Sequence, residues 1–100
     1  MRDWLLSLSG DEKQTIGIDI KAVEFGWPLG LPLCRSLGDG LWEVRSSLSN
    51  RIARVLFCVM DDTMWLLHGF IKKQQKTPTQ DLEIGRRRMR EILDALRRKG

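Results

Sequence analysis

Between Leu41 and Phe70 three β-like runs follow one another with only short turns between them. Leu41-Trp42-Glu43-Val44-Arg45 alternates apolar Trp42 and Val44 with charged Glu43 and Arg45. Residues 46–50 are turn chemistry, a longer apolar run fills 51–60, and Asp61-Asp62 leads straight into 63–70. Parallel neighbours need a crossover of about a dozen residues or more, so the expected unit is an antiparallel meander. The second run is apolar on both faces and is expected to lie centrally. Arg54 interrupts it, sharing a face with Ile52, Leu56 and Cys58, where an unpaired guanidinium is strongly unfavourable.

Helical signals flank the meander. Trp4, Leu5 and Leu8 mark a short first helix that Ser9-Gly10 stops. Ser9 or Asp11 caps a second helix through about Phe25, with Ile16, Ile20 and Val23 as its apolar stripe. Residues 26–40 hold four glycines and two prolines and read as a loop whose leucines pack against the core. After the meander, Thr77-Pro78-Thr79-Gln80 has the order of a cap, a proline at the first helical position and a capping-box glutamine. The helix it opens carries Leu82, Met89, Ile92, Leu93 and Leu96 as its buried stripe. The expected fold class is α+β: a helical hairpin at the N-terminus, three strands and a C-terminal helix, in one domain over residues 1–100.

Composition bounds what such a domain does. With 100 residues, 42% of them hydrophobic and 30% charged, one core closes without metals or disulfides. No apolar run approaches the roughly 20 residues that span a bilayer, and no secretory leader opens the chain. Cys34 and Cys58 form no CxxC pair and read as reduced, partly buried thiols, so the expected setting is cytoplasmic with no membrane partner. One histidine and no HExxH leave no zinc ligand set, and neither a GxGxxG nor a Walker loop is present, so no cofactor is expected. Asp61-Asp62 reads as a turn rather than a catalytic acid pair.

The net charge of +4 is unevenly placed: residues 1–50 sum to −2 and residues 51–100 to +6. Arg51 with Arg54, Lys72-Lys73 through Lys76, and Arg86-Arg87-Arg88 with Arg90 form three clusters. They suit an anionic partner, nucleic acid or an acidic protein segment, or else are solvated faces. The meander brings Arg45, Arg54, His68, Lys72, Lys73 and Lys76 toward one region. Cations there bind a phosphodiester and stabilise charge growing on it, and His68 or a lysine deprotonates an RNA 2′-hydroxyl. The opposing reading pairs Arg45 and Arg54 with Glu43 or Asp61 as structure and packs His68 as an ordinary strand residue.

Three stretches together are distinctive: Leu41-Trp42-Glu43-Val44-Arg45, Arg51-Ile52-Ala53-Arg54-Val55-Leu56-Phe57, and Leu66-Leu67-His68-Gly69-Phe70-Ile71-Lys72-Lys73-Gln74-Gln75-Lys76-Thr77-Pro78. The chain resembles the phage-derived, HigB-like branch of the RelE/ParE toxin superfamily. That resemblance implies a RelE-like toxin fold, with two N-terminal helices packed on a mostly antiparallel sheet. It implies ribosome-dependent cleavage of mRNA in the A site without metal or cofactor, and inhibition by a helix-turn-helix antitoxin encoded by a neighbouring gene. By position it makes Arg54, Lys73 and His68 catalytic, and Arg45, Lys72 and Lys76 substrate-binding. Relatives usually begin with a β-strand, whereas this chain starts Met1-Arg2-Asp3-Trp4, so that strand is expected to be missing. They also carry an aromatic where Ala53 stands, and tyrosine is absent altogether here. Within the same fold the alternatives are gyrase inhibition of the ParE type and a catalytically silent partner of a helix-turn-helix regulator.

Overall fold

The computed structural model describes residues 2–26, 34–49, 51–72 and 77–99. Two helices lead, α1 (Arg2–Leu6) and α2 (Gly10–Gly26). Ser9 caps α2 reciprocally: its N–H donates to Glu12 Oε1 at 3.1 Å, and the Glu12 N–H donates to Ser9 Oγ at 3.2 Å. Four strands follow, β1 (Cys34–Gly38), β2 (Leu41–Ser47), β3 (Ile52–Met60) and β4 (Thr63–Lys72). They lie in chain order with every neighbouring pair antiparallel. The last element is α3 (Thr79–Lys99). The architecture is α+β, compatible with a RelE-like fold.

The meander has one strand more than the alternation pattern shows. β1 lies in the stretch expected to be loop and pairs with β2 through a hairpin at Asp39-Gly40. Both turn residues have positive φ, 55° and 87°, which matches the twist of the flanking strands. Asp61 and Asp62, at 53° and 57°, make the expected β3–β4 turn the same way. The other loop residues, Trp27 to Leu33 with both prolines, lie outside the described residues.

The sheet is covered on both faces. α1 and α2 cover one, where Leu8, Ile16 and Val23 meet Val44, Ala53, Val55 and Phe57. Trp4 lies so close over Gly69 that a side chain at 69 collides with the indole. α3 covers the other face, seating Leu82, Met89 and Ile92 against Leu41, Leu56, Cys58, Leu67 and Phe70. Gly85 allows this approach, because a Cβ there falls 2.7 Å from Leu56 Cδ1. The expected stripe of α3 is shorter in fact: Leu93 is 36% exposed, and Leu96 is not packed against this cluster. Cys34 and Cys58 are buried, and burial pushes both thiols up from their ordinary pKa. Among the described residues no helix is long and apolar enough to cross a membrane.

Two bulges tie α3 down. In β1 the pairing skips Leu37, and in β4 it skips Leu67. A bulged residue drops out of the ladder and leaves its carbonyl to find another donor. Arg86 Nη2 donates to Leu37 O at 3.1 Å, and Arg88 Nη1 to Leu67 O at 2.7 Å. Two residues apart on the helix, these arginines point to opposite sides and reach the two edge strands. Half of the arginine cluster that suggested an anionic partner is therefore engaged in holding the helix to the sheet.

Candidate functional site

Strand register orders the face beneath the start of α3 into rows. Arg35, Glu43, Leu56 and His68 lie across β1 to β4 in one row. Arg45, Arg54 and Phe70 form the next, and Ile52 pairs with Lys72 in the row after that. Directly paired residues put their side chains on the same side of a sheet. Arg45, Arg54 and His68 thus share the α3 face in two adjacent rows, and the backbone position of Lys72 lies in the row after. Lys73 and Lys76 lie outside the described residues. Ala53, where the resemblance leads one to expect an aromatic, is on the opposite face in the core under the N-terminal helices.

Arg54 is 1% exposed. Its Nη1 is bonded to Glu43 Oε1, and Glu43 is itself fully buried. Of the two acids considered as structural partners, Glu43 is the one that binds it. The same carboxylate accepts from Thr77 Oγ1 at 2.6 Å and lies 3.7 Å from Arg35 Nε. One carboxylate therefore joins β1, β2, β3 and the residues just ahead of α3. Burial pulls the Arg54 pKa below its ordinary value, opposed by Glu43 and reinforced by the charges of Arg35 and Arg45. Arg54 and Arg35 share the Glu43 carboxylate, and Arg45 stands directly opposite Arg54, so positive charge outnumbers negative around Glu43. Arg45, half-buried beside Arg54, is the more accessible of that pair.

His68 owes its place to the β4 bulge. Strict alternation from Leu66, which packs under α1 and α2, would return His68 to that face. The extra residue Leu67 turns His68 to the α3 side instead, opposite Leu56. There its Nε2 lies 2.7 Å from Asp81 Oδ1 in the first turn of α3, and its ring stacks on Phe70 at 5.7 Å between centroids. Among the described residues no His, Cys, Asp and Glu side chains cluster as a metal ligand set.

A family model described as Phage derived protein Gp49-like (DUF891) matches residues 3–90. The chain belongs to this family. It is a family of RelE-like, toxin-like proteins. No curated protein and no solved structure matches the chain. In this Gp49-like chain the motif residues Glu43 and Arg45 face α3, while Trp42 and Val44 pack under the N-terminal helices.

Several residues of the site were not legible as such from sequence. Arg35 was hidden because its strand lies in a glycine- and proline-rich stretch, although Asp39-Gly40 is a strong hairpin signal. Asp81 read as an acid favouring the first turn of a helix, and Thr77 as its cap. No local pattern announces that they reach His68 and Glu43.

Proposed function

We propose that this chain is the toxin of a toxin–antitoxin pair, of the HigB-like branch, and that it cuts mRNA on the ribosome. The observation that carries this reading is the pairing of Arg45 directly opposite Arg54, with a single buried carboxylate between Arg54 and Arg35. A phosphodiester gains negative charge on its non-bridging oxygens as it is cleaved, and fixed cations favour that change most in a site shielded from water. Arg45 makes the phosphate contact. Arg54 stabilises it from beneath as a buried charge already oriented by Glu43. Of the lysines that the resemblance singles out, Lys73 gives a proton to the leaving oxygen, and Lys72 and Lys76 hold the RNA backbone. The ribosome supplies the remaining orientation, so orientation contributes part of the rate. A helix-turn-helix antitoxin encoded nearby silences the toxin by covering this face.

The test is to induce the chain in cells, map 5′ ends of mRNA, and repeat with Arg45→Ala. Codon-phased ends are expected with the unaltered chain, reduced about 10²-fold by the substitution. Intact translation with loss of DNA supercoiling assigns the chain to gyrase instead. Tight binding of a helix-turn-helix protein without RNA breakage on translating ribosomes assigns it to a silent partner.

A further inference from the structure

We infer that Asp81 is a positioning residue that fixes His68 as the proton acceptor of the reaction, acting through Nδ1. The inference rests on the mRNA-cleaving reading above and adds the identity of its base. An ionised carboxylate only accepts hydrogen bonds, so the 2.7 Å contact places a proton on His68 Nε2. In the tautomer that this contact selects, the lone pair is on Nδ1, for which no bond to a described residue is seen. Phe70, stacked on the ring and paired with Arg54, holds the imidazole beside the cationic row. The bulge at Leu67 is the second, independent sign of purpose. It turns the chain's only histidine away from the apolar core and onto the face that carries Arg54, in the adjacent row. A carboxylate orienting one imidazole nitrogen so that the other takes a proton is an economical base in acyl and phosphoryl chemistry alike.

The step balances without an oxidant or metal. His68 Nδ1 takes the proton of the RNA 2′-hydroxyl as O2′ bonds to phosphorus. The bond from phosphorus to O5′ breaks, its electron pair stays on O5′, and that oxygen takes a proton from water. The products are a 2′,3′-cyclic phosphate and a 5′-hydroxyl, and the imidazolium returns its proton to solvent.

A glutamine at 68 separates this role from a structural one. Its amide nitrogen falls near the Nε2 position, so His68→Gln keeps the bond to Asp81 and removes the base. With full-length chain and programmed ribosomes, His68→Gln is expected to lower kcat at least 10²-fold with KM unchanged. Asp81→Ala lowers kcat about 10-fold, Asp81→Glu restores part of it, and Asp81→Ala on the His68→Gln background costs nothing more. Thermal melts confirm that each variant is folded, and Asp81→Asn replaces the alanine if that variant melts early. Wild-type kcat in His68→Gln, or an equal loss from Asp81→Ala in both backgrounds, overturns the inference while leaving mRNA cleavage standing. No cleavage by the unaltered chain overturns the proposed function and the base together.

Discussion

Along β3, Ala53, Val55 and Phe57 turn toward α1 and α2 and are fully buried among apolar neighbours. The alternating residues turn toward α3, and among them Arg54 is as deeply buried as Leu56 beside it. The first face is apolar throughout its interior. The second is half apolar core and half ionic network, with Glu43, Arg54 and Thr77 at its charged end. This difference shows where the chain departs from what folding alone favours. Replacing a buried ion pair by hydrophobic residues is often neutral or stabilising, so stability alone does not account for the charged end.

The sharpest way to break this comparison is to treat both faces alike. Arg54→Ala leaves Glu43 buried without its main partner and is expected to cost about 3–5 kcal/mol. Phe57→Ala on the apolar face is expected to cost a similar 3–5 kcal/mol, through lost transfer energy and the cavity left behind. The two losses differ in how they are repaired. Arg54→Met combined with Glu43→Leu should return stability to within about 1 kcal/mol of the original while abolishing mRNA cleavage. No single partner substitution refills the Phe57 cavity. Urea unfolding of the three variants measures these stability changes, and a loss below about 1 kcal/mol for Arg54→Ala would show that the network is not holding the fold. Arg45→Ala, on a half-buried side chain, is accordingly the cleaner probe of activity than any change at Arg54.

A smaller effect is expected where α3 touches the apolar end of the same face. Alanine at position 85 gains about 1 kcal/mol of helix propensity over glycine. Its Cβ also falls 2.7 Å from Leu56 Cδ1 inside a packed cluster, and overpacking of that kind costs about 1–3 kcal/mol. Gly85→Ala is therefore expected to be destabilising by up to about 2 kcal/mol. A stabilised variant would show that Leu56 has room to move and that α3 sits loosely on the sheet.

How much of this was legible in the sequence follows from the range of each signal. The alternation of Trp42 and Val44 against Glu43 and Arg45 correctly separates two faces, because period-two patterning is local. Arg54 among Ile52, Leu56 and Cys58 correctly flags a guanidinium in need of a partner. β1 escaped because it is five residues long and carries Arg35, Ser36 and Gly38 where apolar residues mark longer strands. The bulge at Leu67 escaped because an extra residue leaves no trace in composition, and it alone decides which face His68 takes. Arg86 and Arg88 were read with a basic cluster. Their bonds to Leu37 and Leu67 depend on how a helix lies across four strands, which no local window contains.

The smallest effect expected is on the apolar side, where an ionic contact lies at the surface. Arg51 donates to Glu12 Oε2 through Nε at 2.9 Å and Nη2 at 2.6 Å, tying the start of α2 to the residue before β3. That bond, with the Ser9 N–H, holds the Glu12 carboxyl below its ordinary pKa of 4.5. A carboxyl depressed in the folded state contributes stability above the unfolded value and loses it as pH falls through the folded one. The melting-temperature gap between the unaltered chain and Glu12→Gln should thus be constant above about pH 5, since 4.5 is the ordinary value, and close progressively below it. Because the pair is solvent-exposed, added salt should narrow the gap as well. The buried Arg54–Glu43 pair should show little salt dependence. An exposed pair insensitive to salt, or a buried one sensitive to it, would reverse the assignment of surface and interior charge on which the contrast between the two faces depends.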